Sequence, residues 1–518
     1  MIEKLIKLLK FKKVSYIFIF LIGVTSSLSL PPYNYFYINF FTLGSLFFFL
    51  IKNKELSKKD YFLYGWLFGF GYFLSSLYWI SISLTFDSDF KFLIPISIIL
   101  IPSFLALFIS IPVFLLSFFL KLSHLCLVLI FSILLASFEF IRGFILTGFP
   151  WNLFVYSFSD NLPFIQMLSV FGTYGLNLIC ISFFLIPSIF LLNKNRFELI
   201  ISSILLVFFL SLFLIGNIRL KEENIVNRLN EIPLIKIISS KVEINRFYEP
   251  GNEENIINQL VSLSNPEKDI PTLFIWPEGV ITSTHLKDIL RYRDLFKKFS
   301  DNHLILFGIN DIVLEDESKI YNSLAIVDNQ LNLKSLYYKN NLVPFGEFLP
   351  LENILSKFGF KNITNKYQSF SDGKKRDIIY TKLNNFNLSI LPLICYEIIY
   401  SGELSDKNNF DLIVNISEDG WFGKSIGPHQ HFAHSVFRAI EEGKTILRSS
   451  NNGISAMISP KGKTLKIHKS TYSGVLKIDY FEKLREMTVF SSYGRNNIFF
   501  YLVAIYIILI FFLKRIGR

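Results

Sequence analysis

The sequence predicts a polytopic α-helical membrane domain of about eight spans with an α/β domain inserted into it. The first observation is a series of apolar stretches close to or above the roughly 20 residues that cross a bilayer as a helix. The second is a soluble-looking segment, 220–495, held between those stretches. The third is the composition, 51% hydrophobic and 17% aromatic over 518 residues with mean hydropathy +0.43. The predicted domains are 1–219 with spans one to seven, 220–495, and 496–518 with the last span.

The predicted spans lie at residues 13–30, 36–51, 61–83, 93–120, 125–145, 164–192, 199–217 and 497–513. Segments 93–120 and 164–192 exceed the length that a bilayer requires. We therefore expect each of them to be tilted, partly re-entrant, or kinked at Pro102, Pro112 or Pro187. The first span resembles a signal peptide, but no small-x-small cleavage site is evident and more spans follow. It is predicted to be an uncleaved anchor.

The net charge of +11 is concentrated at the ends of the spans. The basic residues precede span one, follow spans two, four and six, and close the chain: Lys4, Lys7, Lys10, Lys12, Lys13, Lys52, Lys54, Lys58, Lys59, Lys121, Lys194, Arg196, Lys514, Arg515 and Arg518. The opposite connections are poor in basic residues, since 31–35 has none and 84–92 has one lysine against two aspartates. By the positive-inside rule, both termini are predicted to be cytoplasmic and 220–495 to lie outside. Charge at membrane ends argues against nucleic-acid binding.

The pattern of the inserted segment predicts alternating strands and helices. Apolar, β-branched runs of strand length occur at Leu234–Ile238, Thr272–Trp276, Leu304–Gly308, Leu324–Val327, Leu388–Ile394, Leu412–Ile416 and Gly453–Ile458. Helical patterns occur at Glu253–Ser264, Thr284–Phe299 and His431–Glu442. This order predicts an α/β domain in which helices cover a sheet or a pair of sheets.

The three cysteines are too few for a disulfide framework. Cys126 and Cys180 fall inside predicted spans, which leaves Cys395 as the single cysteine of the inserted segment. In an oxidising compartment such a thiol is either buried and inert or kept for reaction. Because Cys395 ends an apolar strand, it can project into a cleft as a nucleophile, or it can fill the core.

Two further residues have types and positions that suit catalysis. Glu278 follows a predicted strand in Trp-Pro-Glu-Gly, where the proline stops strand pairing and the glycine permits a sharp turn. Glu278 is therefore either positioned to act as a general base or an exposed loop carboxylate. Lys339 is followed by the rigid sequence Val-Pro-Phe-Gly-Glu, without which it would be one surface lysine among many. None of the three residues is decisive singly.

Taken together in this order, Trp-Pro-Glu, Lys before Val-Pro-Phe-Gly-Glu, and Cys-Tyr-Glu resemble the nitrilase, or carbon–nitrogen hydrolase, superfamily. Further motifs narrow the resemblance to the apolipoprotein N-acyltransferase family: Val414-Asn415-Ile416-Ser417, Gly420-Trp421-Phe422-Gly423, Ser425-Ile426-Gly427-Pro428, Gln430-His431-Phe432, Arg438-Ala439, Leu447-Arg448-Ser449 and Asn451-Asn452-Gly453-Ile454. The resemblance implies an αββα sandwich. It also implies a triad in which Glu278 is the proton acceptor, Lys339 favours the thiolate and stabilises the oxyanion, and Cys395 is the nucleophile.

The resemblance further implies a reaction. Cys395 takes an acyl chain from a membrane phospholipid as a thioester, and the α-amine of the diacylglyceryl cysteine of an apolipoprotein then accepts it. The implied location is the bacterial inner membrane, with the active site facing the periplasm. No cofactor is implied. A metal is not expected either, because His429, His431 and His434 lack a convincing set of further ligands.

Supporting roles are predicted for Glu347, Tyr396, Glu397 and Trp421. Glu347 is expected to orient Lys339 or line the site, and its alternative reading is a surface carboxylate after a turn. Tyr396 is expected to supply a backbone N–H to the oxyanion, and Glu397 to lie beside the site. Trp421, with Phe422 after it, forms either a lipid-facing mouth or part of the core.

Three other segments bear on the resemblance. Glu139 and Arg142, at spacing i, i+3 inside a predicted span, are either a structural ion pair or lipid-headgroup ligands. Phe247 and Tyr248 occupy the arm where the family commonly has a tryptophan near a proline. Glu418 with Asp419 replaces the usual Asn-Asp, and no role is assigned there.

Two other classes of function remain open. A membrane-tethered amidase or nitrilase that hydrolyses a small amide is compatible with the triad, but eight spans argue against it because one anchor would suffice. A transporter or receptor with an outer binding module is compatible with the spans, but it leaves the ordered triad without a purpose.

Overall fold

The computed structural model describes residues 11–53, 55–192, 195–228, 232–248, 251–313, 319–350, 369–374, 376–405, 409–469 and 471–516. The basic residues Lys4, Lys7, Lys10, Lys54, Lys194 and Arg518, used above for topology, lie outside these ranges. The chain divides into two compact units. A helical unit comprises Met1–Glu222, Phe422–Ala433 and Ser492–Arg518, and an α/β unit comprises Glu223–Trp421 and His434–Ser491.

The helical unit contains the apolar stretches. Its α-helices are Lys12–Ser26, Ile38–Lys52, Lys58–Leu77, Ile94–Leu105, Leu107–Leu116, His124–Arg142, Leu162–Ile165, Leu168–Leu185, Pro187–Leu192, Arg196–Lys221 and Asn497–Ile516. Among the described residues, seven helical segments are long and apolar enough to cross a membrane: Lys12–Ser29, Lys58–Thr85, Ser88–Leu116, His124–Arg142, Leu168–Leu192, Arg196–Lys221 and Asn497–Arg515. The remaining predicted span, the second at 36–51, is the shorter apolar helix Ile38–Lys52. Its 15 residues extend about 22 Å.

The two over-long predicted spans are interrupted. Segment 93–120 consists of helices Ile94–Leu105 and Leu107–Leu116, which meet at Ala106. Segment 164–192 contains a non-helical residue at Gly172, and a second break separates Leu168–Leu185 from Pro187–Leu192. A proline has no N–H to donate and its ring crowds the preceding turn, so a break just before Pro187 is expected.

Local sequence explains how one of the long helices starts and packs. At the N-terminus of Lys58–Leu77, the hydroxyl of Ser57 accepts from the Asp60 N–H (3.3 Å), and the Asp60 carboxylate accepts from the Ser57 N–H (2.9 Å). Gly23 on helix Lys12–Ser26 lies against the Phe68 carbonyl of this helix, where a Cβ would overlap it. Small residues allow such close helix contact in a membrane.

The described residues of the α/β unit form three sheets. Its strands are β1 Ile225–Arg228, β2 Leu234–Ser239, β3 Thr272–Ile275, β4 His303–Ile312, β5 Ile320–Asp328, β6 Leu333–Tyr338, β7 Ile379–Leu383, β8 Phe386–Ile394, β9 Leu412–Glu418, β10 Thr445–Asn451, β11 Ser455–Ile458, β12 Thr464–His468, β13 Gly474–Ile478 and β14 Tyr480–Lys483. One six-stranded sheet has the order β13-β2-β3-β4-β5-β6, the other has β12-β11-β10-β9-β8-β7, and β1 pairs with β14.

The two six-stranded sheets pack face to face. A single buried cluster joins residues of the first sheet, such as Ile237 and Leu306, to residues of the second, such as Ile394 and Val414. A second cluster covers the outer face of the first sheet with helix Glu253–Ser264 and the 3₁₀ segment Leu286–Lys298. The central strands are buried at every position, so apolar side chains on both of their faces produce this layering.

Sequence and structure agree on the main elements of this unit. All seven predicted strands are present, and helix Glu253–Ser264 has the predicted bounds. The predicted helix Thr284–Phe299 is the 3₁₀ segment Leu286–Lys298, and the predicted helix His431–Glu442 begins earlier, at Gly427. Helix Gly427–Glu442 has a buried apolar side on its C-terminal half, including Phe437 and Ile440.

Candidate active site

Strand direction brings the three triad residues to one place. Strands β2, β3 and β4 are parallel, and β6 runs the same way as β4 because both are antiparallel to β5. Glu278 and Lys339 therefore follow strand ends at one edge of the first sheet. Strands β8, β9 and β10 of the second sheet are also parallel, and Cys395 follows β8 directly. Carboxyl ends of parallel strands are the usual position for ligand-binding groups in such sheets.

Glu278 is fixed from several directions. Its Oε1 accepts from the Asn322 side-chain amide (2.8 Å), and its Oε2 accepts from the Glu418 backbone N–H (3.1 Å). The strand before it ends because Pro277 has no N–H to pair. A Cβ at Gly308 would lie 2.9 Å from the Glu278 Cα, so glycine on β4 permits the close approach. The carboxylate is thus held at one edge of the sheet.

Lys339 is completely buried and lies between two carboxylates. Its Nζ is 3.3 Å from Glu278 Oε1 and 2.9 Å from Glu347 Oε1, and the Lys339 side chain is only 1% exposed. The Asn322 amide bridges the same two carboxylates, with 2.8 Å to each. Burial alone would lower the pKa of Lys339, but the charges of Glu278 and Glu347 outweigh it and raise that pKa. The site therefore holds a permanent cation.

The loop after β6 positions Glu347 against Lys339. The Val343 N–H donates to Glu347 Oε2 (2.8 Å), and the Glu347 N–H donates to the Val343 carbonyl (2.9 Å). Phe345, between them, has a φ of +63° in the left-handed region and is 68% exposed. This tight Pro-Phe-Gly-Glu turn points the carboxylate inward, which fits the predicted orienting role of Glu347.

Cys395 is the first residue of a short 3₁₀ turn, Cys395–Ile399, that follows β8. Its φ is +48°, a conformation that is strained for a residue with a side chain and that surrounding contacts must hold. Burial raises the pKa of the thiol well above its ordinary value, and Glu278 raises it further, whereas Lys339 lowers it. The resting group is a neutral thiol that requires a base.

Glu397 holds this strained turn and the Lys339 loop together. It is fully buried, and its Oε2 accepts from the Ile394 N–H (2.8 Å) just before Cys395. Its Oε1 accepts from the Tyr337 hydroxyl (2.7 Å) and from the Asn340 N–H (2.8 Å). The carboxylate also pairs with the buried Arg376 (3.2 Å). The contacts of Glu397 therefore support the backbone next to Cys395 and Lys339, which is a structural role.

Tyr396 and Trp421 have different surroundings. The Tyr396 ring is buried and packs edge to face against Tyr400, with 5.6 Å between ring centroids. Trp421 is half-buried, and its ring lies 5.0 Å from Phe247 and 6.5 Å from Tyr248. These three aromatic residues form an apolar wall next to Gly279, the residue after the base, because a Cβ on that glycine would meet the Phe247 ring.

Glu418, to which no role was assigned from the sequence, forms a buried ion pair with Arg246. The Asn451 amide donates to the same carboxylate (2.6 Å). Arg246 also donates to the Gly279 carbonyl (2.6 Å), and its guanidinium stacks over the Phe247 ring at 4.5 Å. The pair thus connects the aromatic wall, the loop of Glu278, and the strand end whose N–H binds Glu278.

A second buried ion pair lies on another side of the thiol. Arg448 Nη2 is 2.9 and 3.1 Å from the two carboxylate oxygens of Asp419, and both side chains are fully buried. Asp419 accepts from the Ser417 hydroxyl (2.7 Å), which is 3.4 Å from Cys395 Sγ. Asn322, Arg246, Ser417 and Arg448 were not identified as site residues from the sequence. The available signals were the predicted strands next to Asn322 and Ser417 and the family motifs that contain Ser417 and Arg448, whereas no pattern pointed to Arg246.

In the helical unit, Glu139 and Arg142 contact each other, with 3.8 Å between Oε1 and Nη2. The Asn177 amide donates to Glu139 (2.6 Å), and Arg142 donates to the Phe149 carbonyl (2.5 Å). Both side chains are at most 2% exposed. Glu139 Oε1 and Arg142 Nε and Nη2 make no hydrogen bond among the described residues, so the structural ion pair and the lipid-headgroup role both stay open.

Two family models match the chain. The apolipoprotein N-acyltransferase N-terminal domain matches residues 22–186, and the carbon-nitrogen hydrolase domain matches residues 273–479. A solved amidase of the nitrilase superfamily from Nesterenkonia sp. AN1 is 13% identical, covers 50% of this chain and 94% of its own, and has a TM-score of 0.35. A structural likeness with so low a TM-score does not support a family assignment, so the family of this chain is assigned from the sequence matches.

Curated relatives match over most of their length. The apolipoprotein N-acyltransferase of Rickettsia typhi is 34% identical over 508 residues, which is 95% of this chain and 97% of the relative. That of Rhodopseudomonas palustris is 31% identical over 86% of this chain and 85% of the relative. Because these relatives are more than 30% identical over most of both chains, the chain belongs to the apolipoprotein N-acyltransferase family of enzymes.

Proposed function

We propose that this chain transfers an acyl chain from a membrane phospholipid to the α-amine of a diacylglyceryl-cysteine apolipoprotein, through a thioester on Cys395. One observation carries the proposal: the partly buried thiol of Cys395 lies within electrostatic range of Glu278 and of a buried Lys339, whose ammonium is shared by Glu278 and Glu347. A neutral thiol, a base and a fixed cation are the groups that acyl transfer through cysteine requires.

In the first half-reaction, Glu278 takes the Cys395 proton and the thiolate attacks the ester carbonyl of the phospholipid. A carbon–sulfur bond forms, and the carbonyl π electrons move to oxygen as an oxyanion. Lys339 and the Tyr396 backbone N–H stabilise that charge. The intermediate then expels the glycerol oxygen, which receives the proton from Glu278. The products are a lysophospholipid and the acyl thioester.

In the second half-reaction, the α-amine of the lipoprotein attacks the thioester carbonyl. The amine gives a proton to Glu278, the carbon–sulfur bond breaks, and the thiolate leaves and recovers that proton. The result is an amide and the original enzyme, so the kinetics are ping-pong. These steps use only groups of this chain and the two substrates.

Several features support lipid substrates. The chain has seven helical segments suited to a membrane among its described residues, which a hydrolase of small soluble amides would not need. The half-buried aromatic wall of Phe247, Tyr248 and Trp421 next to the base is suited to an acyl chain. The relatives are named for the apolipoprotein acceptor.

We further propose that residues 220–495 face the periplasm of the bacterial inner membrane and that both termini are cytoplasmic. The proposal depends on the basic residues at one set of span ends. Reporter insertions after Lys59 and in the exposed turn between Asn384 and Asn385, which joins β7 to β8, should report opposite sides. The same side for both insertions would contradict the topology.

The function is tested with the full chain in membranes, labelled phospholipid and a diacylated lipopeptide. We expect label on the lipopeptide amine. Release of label to water, or hydrolysis of small amides, would favour the membrane-tethered amidase, and no turnover of either kind would favour a binding module.

A second test concerns the intermediate. With phospholipid alone, wild type should accumulate a hydroxylamine-sensitive acyl adduct on the peptide containing Cys395. Cys395→Ser should fold and lose transfer, because an alcohol has a much higher pKa than a thiol and Glu278 cannot activate it. An adduct on another residue would remove Cys395 from the nucleophile role.

A further inference from the structure

Ser417 lies at the end of β9, beside the thiol. Its hydroxyl oxygen is 3.4 Å from Cys395 Sγ and 2.7 Å from Asp419 Oδ1, and the residue is fully buried. A hydroxyl has one hydrogen to donate and two lone pairs to accept with. It therefore cannot donate to the sulfur and to the carboxylate at the same time.

The two protonation states of Cys395 require different directions of this hydroxyl. While Cys395 is a thiol, the Ser417 O–H can point to Asp419, and the sulfur S–H can point to the Ser417 oxygen. Once the sulfur is a thiolate, it has no hydrogen and is a strong acceptor. The Ser417 O–H can then turn to the sulfur, and Ser417 keeps its proton throughout.

Arg448 makes this turn possible. When the hydroxyl leaves Asp419, that carboxylate would be a buried charge without a donor, which is strongly unfavourable. Arg448 Nη2 contacts both carboxylate oxygens, at 2.9 and 3.1 Å, so Asp419 remains satisfied. Arg448 is held in turn by the Asn415 side chain and by the Ile454 carbonyl (3.2 Å).

From this geometry we propose that Ser417 is a further catalytic residue, whose hydroxyl turns from Asp419 to Cys395 and stabilises the thiolate in both half-reactions. The inference rests on the proposed function, in which the thiolate is the nucleophile of the first step and the leaving group of the second. Asp419 and Arg448 are positioning residues, because they act through Ser417. Glu278 and Lys339 remain the base and the cation.

The proposal has a specific kinetic consequence. A residue that binds only one substrate affects one half-reaction, whereas a donor to the thiolate affects both. Ser417→Ala should slow thioester formation and its aminolysis by a similar factor of about 10 to 100, the range for a lost hydrogen bond to a charged group. Single-turnover experiments with labelled phospholipid and then with lipopeptide measure the two steps separately.

The pH dependence of Cys395 alkylation measures thiolate formation without either substrate. Iodoacetamide is applied to the full chain in detergent at a series of pH values, and mass spectrometry follows the peptide that contains Cys395. The thiolate is the reacting form, so loss of its donor should move the Ser417→Ala profile to higher pH. Ser417→Thr keeps the hydroxyl and should return the profile to the wild-type position.

The matched control is Ser323→Ala. Ser323 is as buried as Ser417 but lies on β5, in the other six-stranded sheet. Its hydroxyl donates to the Ile309 carbonyl (2.5 Å) on the neighbouring strand β4. It should leave the alkylation profile and the ratio of the two half-reaction rates unchanged. Thermal midpoints of the variants report folding.

A wild-type alkylation profile for folded Ser417→Ala overturns the proposal, as does a folded Ser417→Thr that behaves like Ser417→Ala. Slowing of only one half-reaction also overturns it. Failure of the proposed function has a different signature, because a shifted alkylation profile without any acyl transfer would leave the Ser417–thiolate contact standing and remove the lipid reaction.

Discussion

Lys339→Met tests whether the buried cation stabilises the site as the structure indicates. The variant keeps most of the side-chain volume and removes the charge that lies 3.3 Å from Glu278 and 2.9 Å from Glu347. Those carboxylates are only 9% and 13% exposed, so they would be left buried beside each other with the Asn322 amide between them. Removing one partner of a buried ion pair costs about 3–5 kcal/mol.

For a domain of this size, about 1 kcal/mol lowers the thermal midpoint by about 2–4 °C, so the expected fall is about 6–20 °C. The full chain in detergent is heated and briefly proteolysed, and mass spectrometry follows peptides of β3 and β8. This readout follows the α/β unit alone. Acyl transfer should also fall by at least about 10²-fold, as when an oxyanion donor is removed. The alkylation profile of Cys395 should move to higher pH, because Lys339 lowers the pKa of that thiol.

The matched control is Lys334→Met, on the same strand β6. Lys334 forms an ion pair of similar length with Asp328, 2.9 Å, but its side chain is 47% exposed. An exposed pair contributes about 0–1 kcal/mol, so this midpoint should hardly change. In the Lys339→Met background, Glu347→Gln removes one of the two unpaired charges and should recover part of the loss. Equal effects of the two lysine variants, or a further loss in the double variant, would refute the reasoning.

Three other variants separate the roles within the site. Glu278→Gln should reduce the rates of both half-reactions by about 10²–10⁴-fold. It should also move the alkylation profile of Cys395 to lower pH, because Glu278 raises the pKa of that thiol, and a profile moved to higher pH would contradict this. Arg246→Met should destabilise the α/β unit by about 3–5 kcal/mol in the proteolysis assay, since it leaves Glu418 buried without its cation. The double variant with Glu418→Gln should recover most of that stability, and no recovery would mean that the charge is not the cause. Gly308→Ala places a Cβ against the Glu278 Cα and should destabilise by about 1–3 kcal/mol with slower thioester formation, whereas unchanged kinetics would show that the base tolerates the shift.

The sequence by itself determined the class of fold and the order of the triad. Apolar stretches of membrane length are local features, and their number follows from counting residues. Glu278 and Cys395 were predicted at strand ends because the runs before them are continuous and apolar, and both strands are present. The break before Pro187 likewise follows from the chemistry of one residue.

Strands whose residues are not apolar could not be predicted in this way. β10, Thr445–Asn451, is buried at every position although it contains Arg448 and several polar residues. Its arginine is satisfied by Asn415 in the middle of β9 and by Asp419, the residue after β9. β6 is half-exposed along its length and shows no clear apolar run. Burial of such segments depends on partners that a local pattern does not contain.

Only the tertiary structure decided which polar residues meet at the thiol. Arg246 and Glu418 are 172 residues apart, and Asn322 and Glu278 are 44 apart. Residues so distant meet because the parallel strands of two packed sheets end at one edge, and sheet packing is fixed by the whole buried core. The sequence could place single charges, such as Glu278, at the end of a strand. The physical reason it could not pair them is that an ion pair depends on distance in space, which only the assembled sheets determine.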